Sequence, residues 1–216
     1  MSVAALTQDR RSIMAVMVET PPPQSIDRFR EPPGRFEELC RILEQVDADL
    51  PDGYYTEIIG GQVIASPWSQ CTYELILDSL IDQLGPHAPE GHRARATPRL
   101  FRFPEQSEAY GPDLHITEST TFRTEGIYAP GEALSLVGEV TSPSTAHNDR
   151  RKKAEVYGKA GVPVYLLVDV LKELLVVYSE PSPERGYRTL TEAKFGETVH
   201  IPAPFDCELD TADWEV

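Results

Sequence analysis

Two nearly continuous apolar runs, ALSLVGEVTS (133–142) and VPVYLLVDV (162–170), constrain the fold of this chain more than any other feature. Runs of this length without polar alternation suit strands covered on both faces. The segment between them has helical spacing and ends near Gly161. Strand, helix and strand in that order predict a right-handed crossover joining two parallel strands. Asn148 or Asp149 would cap the helix at its start.

The flanking sequence fills in the fold. RFEELCRILEQV repeats apolar residues at Phe36, Leu39, Ile42, Leu43 and Val46, which predicts an amphipathic helix. YYTEIIGGQVIAS reads as a hairpin about Gly60-Gly61, where glycine tolerates the positive φ of a primed turn. CTYELILDSLIDQL predicts a second helix with Leu75, Leu77, Ile81 and Leu84 inward. HRARATPRLFRF, interrupted at Pro98, and GPDLHITES read as strands, and KELLVVYSE with GYRTLTEA continue as an antiparallel meander. Residues 1–33, with ETPPPQ and REPPG, predict a flexible Pro-rich N-terminal arm before one domain at 34–216. The expected class is α/β or α+β, with a mixed sheet flanked by helices.

Against this background Glu139 is anomalous. A carboxylate between apolar neighbours in a buried strand must be paired, protonated or bound to a metal. The alternatives are a structural salt bridge and an edge strand that leaves the acid in water. Asp149, Lys153, Tyr157 and Ala160 fall on one stripe of the following helix, which places Lys153 at the edge of the buried face. Arg150, Arg151 and Lys152 would face solvent or a nucleic-acid backbone. Asp113, in GPDLHITES, sits at a strand entrance from which it could meet Glu139; a Pro-Asp pair is also a common turn.

Two carboxylates with a lysine suit hydrolysis of a phosphodiester. Mg²⁺, with Mn²⁺ as a substitute, needs few protein oxygens: two acids and a backbone carbonyl, here that of Val140, suffice. The ion would polarise the phosphodiester and acidify a water, and an ammonium would orient that water or offset charge on phosphate oxygens. A formal net charge of −15 excludes a surface that is basic throughout. Arg93 and Arg95, in an acid-free stretch, could track phosphates, or could protect an exposed edge strand. There is no GxSxG elbow, P-loop or zinc-spaced histidine pair; His115 reads as a core or surface residue, the alternative being a place at the site beside Asp113, and His147 as solvent-facing.

The ordered segments PD, GEVTSPST, DRRKKAEVY and AGVPVYLLVD resemble the Uma-two family of restriction-endonuclease-like proteins, within the PD-(D/E)xK nuclease superfamily. The resemblance runs from YYTEIIGGQVIASP to VYLLVDV and loosely into the meander. It implies metal-binding acids at Asp113 and Glu139 and a catalytic Lys153 moved from strand to helix; Thr141 stands where a plain ExK motif would have its lysine. Glu57 matches an acid seen before the hairpin turn, and would either assist the metal or be an exposed strand residue. Tyr157 would pack behind Lys153. Relatives usually carry a histidine soon after the Ser-Pro that follows the hairpin, whereas this chain has SPWSQCTYE. The implied activity is metal-dependent endonuclease action on DNA; the alternative is a weakened nuclease fold kept as a binding or regulatory module. A homodimer would suit cleavage of both strands. Arg10-Arg11 before SIMAVMV faintly resembles a twin-arginine signal, but the apolar stretch ends at Glu19. Three scattered cysteines suit a reducing compartment. The expectation is therefore a cytoplasmic protein with no membrane partner.

Overall fold

The computed structural model describes residues 16–17, 34–67, 71–97, 99–123, 125–143 and 145–214. Most of the expected N-terminal arm lies outside these residues. Its Val16–Met17 forms strand β1, paired antiparallel with Ile64 and Ala65.

Helix α1, Arg35–Asp49, follows Gly34, which sits at φ 90°. Glu37 and Glu38 in its first turn oppose the positive helix start. Phe36, Leu39, Cys40 and Leu43 are buried at i, i+3, i+4 and i+7, packing with Ile58, Val63 and Ala109. Strands β2, Tyr54–Ile58, and β3, Val63–Pro67, form the expected hairpin, with Gly60 and Gly61 both at positive φ. Helix α2, Glu74–Leu84, buries Ile76, Leu77, Leu80 and Leu84. The expected inward Leu75 is instead 75 % exposed: the buried stripe lies one residue further round the helix.

HRARATPRLFRF is not one strand. It divides into β4, His92–Arg95, and β5, Leu100–Phe103, which join different sheets. Then come β6, Glu108–Tyr110; β7, Leu114–Glu118; β8, Tyr128–Pro130; and β9, Leu134–Val140. After a π-helical stretch at Asn148–Lys153, helix α3 spans Ala154–Lys159. Strands β10, Val164–Asp169; β11, Leu174–Ser182; and β12, Gly186–Lys194, follow, and β13, Thr198–Ile201, pairs with β14, Cys207–Asp210.

The main sheet has order β12-β11-β10-β9-β7-β4, and the second β1-β3-β2-β6-β5-β8. The main sheet is mixed. β9 and β10 are parallel, as the two apolar runs predicted, and their neighbours β7 and β11 are antiparallel. All seven residues of β9 are buried. Leu136 and Val140 belong to a core shared with α2, while Val137 belongs to another shared with α3 and with Phe101, Phe103 and Tyr110 of the second sheet. Alternation along a strand places Glu139 on the Val137 face. That acid therefore points between the two sheets, under α3. No helix among the described residues is long and apolar enough to cross a membrane.

Candidate active site

The site is assembled where three elements meet: the end of β9, the hairpin strand β2, and the helical stretch before β10. Lys153, 1 % exposed, lies at its centre rather than at the edge of the buried face. Its Nζ is 2.9 Å from Glu57 Oε1, 3.1 Å from each Glu139 carboxylate oxygen, and 3.5 Å from Asp149 Oδ1. The face of the Tyr110 ring lies 5.6 Å away. Tyr157 donates its hydroxyl hydrogen to Glu139 Oε1 at 2.7 Å.

Local structure explains the convergence. The π-helical stretch bonds i to i+5 and keeps residues four apart on one face. Asp149, Lys153 and Tyr157 are all buried along that face. Asp149 is thus no cap: His147 precedes the π-helical stretch and no side chain caps it. Asp149 lies inside the protein, its carbonyl accepting from the Tyr165 hydroxyl at 2.9 Å.

Asp113 stands just before β7, partly buried, and its Oδ2 accepts the Val140 amide at 2.8 Å. It is therefore held at the residue next to Glu139. In an extended strand the N–H and C=O of one residue face the same side, so the Val140 carbonyl faces the Asp113 edge. Glu57 is 1 % exposed and accepts the Gly111 amide at 2.9 Å, which removes the exposed-strand alternative.

Burial raises the Glu139 carboxyl well above its ordinary value, while the Lys153 ammonium, in contact with both oxygens, opposes this and favours the carboxylate form. The same balance lifts Asp149 to about 6. For Lys153, burial disfavours the charge, but Glu139, Glu57 and Asp149 outweigh it and hold the amine firmly protonated. Three carboxylates surround this one ammonium, with Asp113 beside them. Among the described residues, no three His, Cys, Asp or Glu side chains converge in a way that would hold a metal ion; the ammonium stands where the acids meet.

The other cations separate. Arg150 binds Asp169 at the end of β10 through two contacts of 2.7 Å, so it is neither a free solvated residue nor an open phosphate contact. Lys152 is 40 % exposed and lies 3.7 Å from Glu108, whose carboxylate also accepts the Gly60 amide. Arg151 and Arg93 are exposed. Arg95, half-buried, lies over the Phe122 ring at 5.2 Å. Strand β4, which carries Arg93 and Arg95, is the edge of the main sheet. His147 is exposed. His115 is a core residue: it contacts Phe101, Phe122 and Thr117, and burial lowers its pKa to about 4. Residues 68–70, which include part of the segment lacking a histidine, lie outside the described residues.

Sequence reasoning missed Asp149, Asp169 and Glu108 as charge partners. For Asp149 the signal was its place on the Lys153 stripe. For Asp169 it was an acid closing a buried parallel strand. Glu108 carried none.

Comparison with known proteins bears on the family and the fold. The profile of the family Uma2, described as “Putative restriction endonuclease”, matches residues 35–212. No curated protein matches. Among solved structures, a protein from Anabaena variabilis described as a “putative nuclease belonging to DUF820” superposes with a TM-score of 0.54 at 18 % identity, covering 74 % of this chain and 89 % of that one. At that identity the likeness concerns the fold.

Proposed function

Because the chain belongs to the Uma2 family, we propose that it is a metal-dependent endonuclease that hydrolyses phosphodiester bonds in DNA within the cytoplasm. The observation that carries this reading is the buried Lys153 ammonium held by Glu57, Glu139 and Asp149, with Asp113 fixed beside Glu139. Such concentrated charge in a protein interior is costly, and perturbed acids of this kind gather at functional sites.

A hard divalent cation suits the donors. They are all oxygens: three carboxylates surround one ammonium, and Asp113 is fixed beside Glu139. Asp149 Oδ1 is buried and accepts no hydrogen bond. Asp113, Glu139 and the Val140 carbonyl would hold Mg²⁺ or Mn²⁺. When bound, the ion supplies a polarised phosphodiester and a more acidic water, and it offsets repulsion between this acidic site and a polyanion.

The protein's own groups do the rest. Lys153, kept protonated, orients the attacking water and stabilises charge growing on phosphate oxygens. Glu57 anchors Lys153, and Tyr157 fixes the rotamer of Glu139. Arg93 and Arg95 on the sheet edge, with Arg151 and Lys152, offer positive charge to the DNA backbone. A homodimer would bring two such sites to the two strands.

The test is cleavage of plasmid DNA by the intact protein with Mg²⁺ or Mn²⁺. Asp113→Ala and Glu139→Ala should abolish metal-stimulated cleavage while circular dichroism remains that of the folded protein. Wild-type rates in either purified variant refute the assignment. A second reading, a nuclease fold kept as a binding or regulatory module, is favoured by one observation: both Glu139 oxygens are already engaged by Lys153 and Tyr157. Calorimetric titration that finds no Mn²⁺ binding at millimolar concentration would select it.

A further inference from the structure

Lys153 occupies the position between the two oxygens of Glu139 that a cation held by both of them would take. Its Nζ lies 3.1 Å from both oxygens of that carboxylate, and the Tyr157 hydroxyl occupies Oε1 as well. Like charges placed this close in a buried site repel strongly. A divalent ion and the ammonium therefore cannot both use Glu139 as it is now disposed.

The structure also contains somewhere for the ammonium to go. Asp149 Oδ1 is buried and accepts no hydrogen bond. It lies 3.5 Å from Nζ, longer than a good N–H···O bond. An ammonium carries three N–H donors; the bonds it makes here go to Glu139, and Glu57 stands beside it as an ion-pair partner at 2.9 Å. Asp149 cannot readily withdraw: it lies within the π-helical stretch, and Tyr165 binds its carbonyl. A small swing of the flexible lysine end, pivoting about Glu57, would exchange Glu139 for Asp149.

We propose that Lys153 is an exchangeable counter-cation: it neutralises Glu139 in the metal-free protein, and passes to Asp149 when a divalent cation takes Glu139. Asp149 is then a positioning residue, acting on the reaction through Lys153. The proposal rests on the metal-dependent reading above. It explains why a carboxylate oxygen with no hydrogen bond, Asp149 Oδ1, is kept in the interior beside an ammonium.

The consequence is counterintuitive. Removing a residue of the machinery should improve metal binding. The experiment is Mn²⁺ titration of the intact protein, read by calorimetry and by loss of the free-ion paramagnetic resonance signal, on wild type, Lys153→Gln and Asp149→Asn. Lys153→Gln lacks the competing charge and should bind Mn²⁺ about tenfold tighter, within the usual range of couplings between sites. Asp149→Asn, nearly isosteric, leaves the displaced ammonium without a charged acceptor and should bind about tenfold weaker. Lys153→Gln that binds no tighter than wild type, or Asp149→Asn that binds equally well, overturns the proposal while leaving the metal site itself intact. Absence of Mn²⁺ binding in all three proteins overturns both this proposal and the metal-dependent reading. Should Lys153→Gln fail to fold, the Asp149→Asn titration decides alone.

Discussion

Removing a single oxygen at Tyr157 tests whether the acid at the centre of this site is held as the geometry indicates. In Tyr157→Phe the ring remains, with its packing against Phe103, Tyr110 and Tyr165 at centroid distances of 5.5, 5.5 and 5.2 Å. No cavity opens, so the change reports the hydroxyl alone. That hydroxyl is fully buried and donates to Glu139 Oε1 at 2.7 Å. A hydrogen bond to a charged partner contributes about 1.5–3 kcal/mol, against about 1 for a neutral pair. Glu139 keeps Lys153 on both oxygens, so a loss of about 2 kcal/mol is expected. With a urea m-value of about 2 kcal/mol per molar, the midpoint should fall by about 1 M at unchanged slope. Tyr165→Phe is the internal control: its hydroxyl donates to the uncharged carbonyl of Asp149 at 2.9 Å, and should cost about half as much. Equilibrium urea unfolding at pH 7.5, followed by fluorescence and circular dichroism, measures both. A Tyr157→Phe midpoint equal to wild type, or a larger effect at Tyr165, refutes the charged hydrogen bond and with it the account of how Glu139 is oriented.

Two further perturbations probe the scaffold. A Cβ at Gly158 would stand 2.3 Å from the carbonyl carbon of Gly186 and 2.5 Å from its oxygen, where α3 meets the start of β12. Gly158→Ala should therefore lower stability by about 3 kcal/mol, despite the roughly 1 kcal/mol helix-propensity gain; an unchanged melting temperature would show that the helix does not pack this closely. Burial pushes the Asp169 carboxyl up, but Arg150 outweighs it and leaves the group below its ordinary 3.8. A depressed acid contributes stability that is complete above its unfolded pKa and is lost as pH falls through the folded one. The stability gap between wild type and Asp169→Asn should hold from pH 7 to about 5 and close below about 4; a gap that does not vary with pH would mean the pair contributes nothing through charge.

The parts of the fold that could be read from sequence are those decided locally. ALSLVGEV and VYLLVD announced two covered strands because no polar face interrupts them, and Gly60-Gly61 marked a turn by its backbone freedom. Lys153 could be picked from four adjacent cations because it shares a stripe with Tyr157. Where tertiary packing decides, the local rules fail. Leu75 and Ile76 are equally apolar neighbours, and only the position of the sheet determines which one is covered. Asp149 has the residue type and place of a cap, yet the pull of Lys153 and the widened helical winding carry it inside. HRARATPRLFRF has one composition throughout but serves two sheets, because its halves pair with β7 and with β6 and β8.

The block DRRKK shows why the site itself was only half readable. Three of its cations answer to different acids, each distant in sequence: Arg150 to Asp169, Lys152 to Glu108, and Lys153 to Glu57 and Glu139. Consecutive residues on a helix point in divergent directions, so adjacent cations reach different elements. Arg150 ties the stretch to the end of β10, and Lys152 ties it to the turn of the β2–β3 hairpin beside Gly60. Lys153, next along the chain, turns inward toward Glu139. A run that composition alone would assign to solvent thus acts as a brace with its last charge, Lys153, buried. The chain can bury that charge because Glu57, Glu139 and Asp149 come from three separate elements, and their convergence exists only once the two sheets have closed on α3.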